Sequence, residues 1–399
     1  MNILVGQSGG PTAVINSSLS GIIAGGLKSS KIDRIFGAVG GIEGVLQDNI
    51  IELTDFSPDK LALLKQTPSS FLGSCRRKLG EGKETYLKIF EIFKKHNIGC
   101  FFYIGGNDSM DTADKLSRFA QEIGSDIRIC GVPKTIDNDL AVTDHSPGYG
   151  SAAKFVANAV RSLALDTAVY NMKSVVVLEI MGRNAGWLTA AAALGNDSDV
   201  LATDIICLPE RAFDPDKFLE KVSNIKSGTA PIIAVSEGIK DRCGNYLGES
   251  PSLRQRSDGF SHTALGGVGR IVENLISENL GIKTRTIELS TLQRCFSQGA
   301  SECDIREAFD AGFESVQLAE NGETGFMPCF KRISEDPYKI EIIPHPLSDI
   351  ANFEKIVPDN MITSDGMGVT QDFLTYGRPL ICGEPNNIYE NGLLKFIKR

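Results

Sequence analysis

Short apolar runs alternate with helix-like segments along this chain, and this alternation constrains its fold more than any other feature. Ile3–Val5, Cys100–Ile104 and Ser174–Ile180 have the length and composition of buried strands. After the second run, apolar residues recur at helical spacing from Met110 to Ala120. The alternation predicts βαβ units around a mostly parallel sheet. Because 399 residues exceed what one ordinary core accommodates, we expect two or three domains, or two lobes interleaved in sequence.

Composition excludes several classes of protein. The hydrophobic share of 42% and the charged share of 23% are those of an ordinary globular protein. A formal net charge of −9 argues against a nucleic acid or an anionic membrane as partner. No stretch approaches the roughly 20 apolar residues of a membrane span, and the first residues lack the basic start of a signal peptide. Since the nine scattered cysteines read as reduced thiols, we expect a cytoplasmic protein.

Four polar or glycine-rich loops directly follow predicted strands. In a parallel sheet, ligands bind beyond the carboxyl ends of the strands, so these loops are the candidate binding segments. Their glycines allow backbone N–H groups to approach a ligand, and a helix after such a loop presents its positive N-terminus to a phosphate. The four loops are Gly6–Thr12, Gly105–Ser109, Pro133–Asp139 and Met181–Gly186.

The third of these loops has the most specific chemistry. It holds Lys134, Thr135, Asp137 and Asp139 within six residues. Two carboxylates beside an ammonium group and a hydroxyl suit a metal-bound phosphate chain together with a general base. A solvated acidic turn does not account for the lysine and the threonine beside the acids. The loop therefore indicates phosphate chemistry.

Five motifs in the order GGND, PKTIDND, MGRNAGW, SEG and TLQR resemble the phosphofructokinase family over residues 3–320. The resemblance implies transfer of a phosphoryl group to the 1-hydroxyl of fructose 6-phosphate. It also implies an α/β fold of two doubly wound, Rossmann-like parallel-sheet lobes with the active site between them. Residues 1–142 and about 298–350 would form the donor-binding lobe, 143–297 the sugar-phosphate lobe, and about 351–399 a C-terminal extension of unclear role.

The resemblance also assigns the catalytic and sugar-binding residues. Asp137 matches the family's catalytic base, which takes the proton of the attacking sugar hydroxyl. Arg183, in the MGR motif, matches the family's arginine that steadies the transferring phosphoryl group. Arg285 and Arg294 match the arginines that bind the 6-phosphate, a role that suits the forked guanidinium group. The other residues implied on the sugar side are Thr135, Ile136, Met181, Gly182, Glu237, Thr291, Leu292 and Gln293.

Two positions indicate pyrophosphate rather than ATP as the phosphoryl donor. ATP-using relatives have glycines where this chain has Asp108 and Lys134. We expect both residues to act at the catalytic site. The aspartate fills space that a nucleotide needs, and the lysine adds a cation beside the small, highly charged pyrophosphate. The products would be fructose 1,6-bisphosphate and phosphate, in a reversible step of glycolysis or gluconeogenesis. The other pyrophosphate-binding residues implied are Gly9, Gly10, Arg76 and Gly106.

The family also implies a magnesium ion and more than one subunit. Asn107 stands where relatives have an aspartate near the metal, and an amide oxygen coordinates magnesium without contributing charge. We expect Asn107 and Asp139 to be the metal ligands. One family arginine often reaches the site of a neighbouring subunit, and Arg285 is the candidate, so we expect a homodimer or homotetramer. Lys173 stands near the position of another family arginine.

Three other functions remain open at this point. An ATP-dependent 6-phosphofructokinase is the nearest alternative. A non-catalytic regulatory subunit would be favoured by loss of Asp137 or Arg183, and both residues are present. A lipid or NAD kinase also uses a GGD-type loop, but the MGR and QR motifs on the sugar side argue against it.

Replacement of Asp137 tests the catalytic assignment. The variant Asp137→Ala is expected to lose about 10²–10⁴-fold in kcat, because a positioned general base contributes about that factor. Initial rates with saturating fructose 6-phosphate and each donor measure the loss, and circular dichroism verifies that the variant is folded. A kcat equal to that of the wild type would refute the assignment.

Overall fold

The computed structural model describes residues 1–80, 82–169, 174–225, 231–248 and 265–399, so Lys173 lies outside the described residues. The chain divides into two compact units, each assembled from separate stretches of sequence. Unit 1 comprises Met1–Ser151, Arg294–Lys355 and Gly383–Arg399, and unit 2 comprises Ala152–Gln293 and Ile356–Cys382.

The α/β class predicted from the sequence is confirmed, with different boundaries. The predicted limits at 142 and 298 become unit limits at 151 and 294, and residues 351–399 are divided between the units instead of forming a separate extension. In unit 1 the Gln66 side chain donates to the Ile388 carbonyl at 2.9 Å. In unit 2 the rings of Trp187 and Tyr376 pack with centroids 5.1 Å apart. The roles of the lobes and the placement of the active site between them stay predictions.

The elements follow the alternation that the sequence predicts. Within the described ranges, no helix combines the length and apolar character that crossing a membrane requires. The strands are β1 Asn2–Gln7, β2 Ile35–Ala38, β3 Ile50–Glu52, β4 Ile98–Gly105, β5 Arg128–Pro133, β6 Ser174–Ile180, β7 Ile205–Cys207, β8 Ile232–Ser236, β9 Lys283–Glu288, β10 Phe326–Glu335, β11 Tyr338–Pro346, β12 Tyr389–Glu390 and β13 Leu393–Leu394. The helices are α1 Ile15–Lys28, α2 Gly41–Leu46, α3 Pro58–Gln66, α4 Lys83–Lys95, α5 Asn107–Glu122, α6 Tyr149–Ala168, α7 Trp187–Ala190, α8 Pro215–Ser223, α9 Val268–Leu280, α10 Leu292–Cys295, α11 Glu302–Glu320 and α12 Gln371–Gly377.

The sheet of unit 1 brings three of the predicted loops to neighbouring strand ends. Its strand order is β11-β10-β5-β4-β1-β2-β3. Strands β5, β4 and β1 are adjacent and parallel, so the loops Pro133–Asp139, Gly105–Ser109 and Gly6–Thr12 begin side by side. The sheet is mixed rather than wholly parallel, because β3 and β11 run antiparallel to their neighbours β2 and β10.

Both faces of this sheet are covered, which explains the continuous apolar run in β4. Phe101 and Tyr103 belong to the core that contains residues of α4 and α5. Phe102 and Ile104 point to the opposite core, which contains residues of α1 and α11. A strand buried on both faces has no polar positions to alternate with apolar ones. Polar groups for a ligand therefore come from the loops at the strand ends.

Strand β10 and its neighbour β11 contain prolines, which are unfavourable within a sheet. Pro328 of β10 faces a second proline across the antiparallel pair, and β11 is an edge strand, where a missing N–H donor is tolerated. Arg332 of β10 pairs with Asp144 at 3.0 Å. The adjacent buried His145 contacts Glu307 of α11 at 2.7 Å. The first contact attaches β10 to the segment that holds Asp144 and His145, and the second attaches that segment to α11.

The described residues of unit 2 form a four-stranded parallel sheet in the order β7-β8-β6-β9. Strand β6 has the predicted bounds, and it lies between β8 and β9. The loops that hold the MGR, SEG and TLQR motifs therefore follow neighbouring strands. The pattern of apolar residues over 263–280 predicts a further helix. In the structure this helix, α9, begins at Val268, and residues 263 and 264 lie outside the described ranges.

Helices α1 and α11 approach so closely that glycine is required at their contact. A Cβ atom on Gly312 would lie 2.1 Å from the Ser18 carbonyl oxygen, and one on Gly21 would lie 2.0 Å from the Phe309 carbonyl oxygen. Neither backbone oxygen can move without displacing its helix.

The variant Gly312→Ala is accordingly expected to destabilise the protein by about 1–3 kcal/mol, because the added methyl group forces the two helices apart. Gly80→Ala is the matched control, since a Cβ atom there meets nothing within 4 Å. Thermal unfolding followed by circular dichroism compares the midpoints. Equal midpoints for the two variants would contradict the close contact.

Candidate active site

Lys134 connects the three loops at the strand ends of unit 1. Its backbone N–H donates to the Gly105 carbonyl at 3.0 Å, and its Nζ donates to the Gly10 carbonyl at 2.7 Å. Only 3% of the residue is exposed. The loops after β1, β4 and β5 therefore meet at one buried lysine residue, through its backbone N–H and its ammonium group.

The buried position changes the acidity of this lysine. Burial lowers the pKa of Lys134 to about 8, although the carboxylates of Asp137 and Asp139 oppose the change. The guanidinium groups of Arg294 and Arg76 act in the same direction as burial. Two predicted acids and two predicted arginines thus share the electrostatic field of this ammonium group.

Glycine is required where the first loop passes the ammonium group. Gly9 has a φ of +76°, in the left-handed region, and a Cβ atom there would lie 3.1 Å from the Lys134 Nζ. A Cβ atom on Gly10 would lie 3.2 Å from the Arg294 Nη1. Arg294, predicted for the sugar phosphate, therefore lies in unit 1 beside the predicted donor loop. Within the described part of the chain its buried Nε has no hydrogen-bond partner.

The loop after β5 is braced by its own polar groups, and this fixes the predicted catalytic base. The Asp137 N–H donates to the Thr135 hydroxyl at 3.1 Å. Asn138 has a left-handed φ of 55°, and its side-chain oxygen accepts the Ser146 N–H at 3.0 Å. The side chain of Ile136, predicted on the sugar side, is buried. Asp137 is half-buried, which leaves part of it accessible to a substrate.

Asp108 has a counter-ion that the sequence interpretation did not identify. The Lys78 Nζ lies 2.8 Å from the Asp108 Oδ1. Asp108 lies in the first turn of α5, where the helix dipole also stabilises a carboxylate. Lys78 ends the basic run that begins at Arg76, and that run was the available signal in the sequence.

The two predicted magnesium ligands differ in their contacts. The Asn107 Nδ2 donates to the Phe353 carbonyl at 2.7 Å, and its Oδ1 accepts the Asn352 N–H at 2.6 Å. This side chain therefore holds another loop, and one lone pair of its oxygen remains. The Asp139 Oδ1 is buried without a hydrogen-bond partner in the described part of the chain, and burial raises the pKa of this carboxyl group. Asp139 fits a cation better than Asn107 does.

Few protein ligands are available for a metal ion. Among the described residues, no group of three or more His, Cys, Asp or Glu side chains is arranged to hold one. Magnesium ordinarily binds one or two carboxylates and takes its other ligands from phosphates and water.

In unit 2, side chains from neighbouring loops hold the MGR loop. The Met181 N–H donates to the Gln293 side-chain oxygen, and the Gly182 N–H donates to the Glu237 carboxylate, both at 3.4 Å. The structure thus brings these four predicted sugar-side residues together. Arg183, the next residue of the loop, is half-buried.

The remaining predicted sugar-side residues are on the surface of unit 2. Arg285 lies on β9 opposite Val176 of β6 and is exposed. Thr291 and Leu292 are exposed as well, with 68% of Leu292 accessible. A role for Arg285 in a neighbouring subunit stays a prediction.

Glu210 is a contact of the MGR loop that the sequence interpretation missed. Its Oε1 accepts the Gly186 N–H, at the end of the loop, at 2.8 Å. The residue follows β7 in the segment Leu208–Glu210. A carboxylate shortly after the short apolar run of residues 205–208 was the only local signal in the sequence.

Comparison with known proteins identifies the family. The family model described as phosphofructokinase matches residues 2–319. The chain belongs to the phosphofructokinase family. It is 41% identical over 404 residues to the pyrophosphate–fructose 6-phosphate 1-phosphotransferase of Xanthomonas campestris pv. campestris (strain B100), covering 99% of this chain and 95% of that protein. It is 38% identical over 403 residues to the protein of the same name from Methylococcus capsulatus (strain ATCC 33009 / NCIMB 11132 / Bath), with coverage of 99% and 95%.

A solved member of the phosphofructokinase family has the same fold. The crystal structure of the pyrophosphate-dependent phosphofructokinase from Nitrosospira multiformis matches with a TM-score of 0.90 at 38% identity, covering 100% of this chain and 96% of that chain. The residues after 319 therefore have counterparts in this relative, although they lie outside the match to the family model.

The buried lysine predicts a pH dependence for anion binding. The Lys134 ammonium is charged below its pKa of about 8 and loses its proton as the pH rises through that value. The affinity for inorganic pyrophosphate, the anion predicted from the sequence, is expected to fall by up to about tenfold between pH 7 and 9, because the charge-assisted hydrogen bond is lost as Lys134 is deprotonated. Isothermal titration calorimetry without metal measures this change.

Lys134→Arg is the control, because an arginine keeps its charge over this range. The ratio of its affinity to that of the wild type is taken at each pH. In this ratio the effect of the ionisation of pyrophosphate cancels, because it is the same for both proteins. A ratio that does not change with pH would rule out the titration of Lys134 as the cause.

Proposed function

We propose that this protein transfers a phosphoryl group from pyrophosphate to the 1-hydroxyl of fructose 6-phosphate, forming fructose 1,6-bisphosphate and phosphate. The observation that carries the proposal is the buried Lys134, which joins three loops and whose ammonium group lies 2.7 Å from the Gly10 carbonyl. A buried ammonium group at the strand ends favours the binding of a compact polyanion, which neutralises the charge and excludes water from the ammonium group. The full-length relatives named for this reaction support the same donor and acceptor.

The proposed chemistry assigns a proton and a charge to particular groups of unit 1. The Asp137 carboxylate takes the proton of the sugar 1-hydroxyl as that oxygen attacks phosphorus, and the bond from phosphorus to the bridging oxygen breaks. The leaving phosphate gains the negative charge, which the Lys134 ammonium and the Arg76 guanidinium stabilise. Because pyrophosphate provides less driving force than ATP, the reaction runs in both directions.

Donor choice in this proposal depends on bulk at residue 108. Asp108 occupies the space that a glycine leaves open in ATP-using relatives. Its charge is largely balanced by Lys78 at 2.8 Å, so repulsion of a nucleotide contributes less than the volume of the side chain. Lys134 contributes the attraction for the smaller anion.

Magnesium fits the acidic residues of this site. When bound, it would neutralise the phosphate oxygens and make the phosphorus more electrophilic. Asp139, whose Oδ1 is buried without a hydrogen-bond partner among the described residues, would be its main protein ligand. Asn107 would contribute the remaining lone pair of its amide oxygen.

On the sugar side, the Glu237 carboxylate would bind the sugar hydroxyls and the MGR loop would hold the substrate. The other residues assigned to the sugar side are Thr135, Thr291, Leu292 and Gln293. Arg285 and Arg294 would bind the 6-phosphate, with Arg285 reaching a neighbouring subunit of a homodimer or homotetramer. We place the enzyme in the cytoplasm, in glycolysis or gluconeogenesis.

A donor assay tests the proposal directly. Purified protein with fructose 6-phosphate and magnesium is expected to form fructose 1,6-bisphosphate with pyrophosphate and not with ATP. The reverse reaction, from fructose 1,6-bisphosphate and phosphate, is measured in the same preparation. Product from ATP and none from pyrophosphate would replace the proposal with an ATP-dependent enzyme.

Substitution at the two donor positions tests the reason for the choice. The double variant Asp108→Gly, Lys134→Gly removes both the bulk and the cation. It is expected to lower kcat/KM for pyrophosphate by about tenfold or more, since one charge-assisted contact is lost, and to gain measurable turnover with ATP. The single variants separate the effect of volume from that of charge. Wild-type pyrophosphate kinetics in the double variant would disprove this account of donor choice.

A further inference from the structure

One carboxylate oxygen in unit 2 accepts two backbone N–H groups from segments that are far apart in sequence. The Glu210 Oε1 accepts the Gly186 N–H at 2.8 Å and the Val357 N–H at 3.0 Å. Gly186 ends the loop that carries Met181–Arg183, and Val357 lies near the start of the unit 2 segment Ile356–Cys382. Glu210 therefore joins the MGR loop to the C-terminal part of the chain.

The same C-terminal segment also packs against the residue that follows the loop. The Trp187 ring lies 5.1 Å from the Tyr376 ring and 6.5 Å from the Phe373 ring, measured between centroids. All three side chains are buried. The exit of the MGR loop is thus held by a hydrogen-bonded carboxylate and by an aromatic cluster.

The entrance of the loop is held by different residues. Met181 and Gly182 donate their N–H groups to Gln293 and Glu237, which the family motifs already assign to the sugar side. The motifs do not assign any residue that binds the last residues of the loop. The position of Arg183 depends on both ends, since the loop holds only six residues from Met181 to Gly186.

We propose that Glu210 is a positioning residue, which together with the segment Ile356–Cys382 fixes the MGR loop in the geometry that binds the sugar phosphate. This inference rests on the proposed transfer to fructose 6-phosphate. It gives a function to the C-terminal residues for which the sequence suggested none. A misplacement of a substrate-binding loop by about 1 Å is enough to change kinetics by an order of magnitude or more.

The chemistry of the contact separates two substitutions of Glu210. Both hydrogen bonds go to Oε1, while Oε2 is buried and has no partner among the described residues. A glutamine presents an amide oxygen that accepts both N–H groups equally, so Glu210→Gln keeps the contact. Glu210→Ala leaves two backbone donors unpaired and releases the end of the loop.

Steady-state kinetics with each substrate varied in turn test the proposal. Glu210→Ala is expected to raise KM for fructose 6-phosphate about tenfold and to lower kcat, while KM for pyrophosphate stays within about twofold. Glu210→Gln is expected to restore both parameters. A general loss of stability would not separate the two substrates in this way.

Asp197→Ala is the matched control. In unit 2 the Asp197 Oδ1 also accepts two backbone N–H groups, from Asp199 at 2.9 Å and Val200 at 2.8 Å, in an exposed turn. Its removal deletes the same kind of contact outside the MGR loop, together with the ion pair that its Oδ2 forms with Arg161. Wild-type values of both KM constants are expected for this variant.

Several outcomes would overturn the inference while the proposed function stands. In each case the wild type is active. The outcomes are an unchanged KM for fructose 6-phosphate in Glu210→Ala, an equal rise of both KM constants in that variant, or no recovery of the wild-type constants in Glu210→Gln. If Glu210→Ala does not fold, Gly186→Ala provides the second variant, because its Cβ atom would lie 2.5 Å from the Glu210 Oε2 and displace the carboxylate. It must then give the same separation of the two KM constants. Absence of wild-type turnover with pyrophosphate would instead refute the proposed function.

Discussion

The placement of a lysine ammonium group in the interior of unit 1 is the constraint on which the candidate site depends. Transfer of a charge out of water is unfavourable by several kcal/mol unless other charges and hydrogen bonds compensate for it. Here the partners are one carbonyl oxygen at 2.7 Å and the field of Asp137 and Asp139, and the pKa of Lys134 remains lowered, to about 8. Two arginines, Arg76 and Arg294, add positive charge. A bound anion would supply the negative charge that these positive groups lack, so the site is suited to a small polyanion.

The strand order makes this arrangement possible. Because β5, β4 and β1 are adjacent and parallel, three loops leave the sheet side by side, and one lysine reaches the other two loops through its backbone and its side chain. Apolar cores on both faces of the sheet leave the strand ends as the place for polar chemistry. The close packing that this requires also appears away from the site, where Gly312 of α11 meets the backbone of α1.

Unit 2 meets a different requirement, the rigidity of a short loop. The MGR loop has few apolar side chains with which to pack, so its backbone N–H groups are fixed by carboxylate and amide oxygens from other segments. Glu237 and Gln293 hold its first residues, and Glu210 holds its last. The last of these contacts also recruits Val357. The C-terminal residues of unit 2 are therefore part of the support of the candidate site, and the coverage of the Nitrosospira relative extends through them.

Local sequence determined the buried strands that precede the candidate binding loops and the residue types at their ends. Runs such as Cys100–Ile104 are recognisable in the sequence, because a strand buried on both faces is apolar throughout. Lys134 and Asp137 lie in the loop that follows such a strand. Tertiary structure alone decided which side chains meet. Lys78 pairs with Asp108, Asn107 holds the loop at residue 352, and Glu210 joins residues 186 and 357. Contacts of this kind join residues that no helical or strand period relates, so their partners emerge only once the sheets and loops are packed. The same reason hides β10 and β11, whose prolines are tolerated only because of their neighbours in the finished sheet.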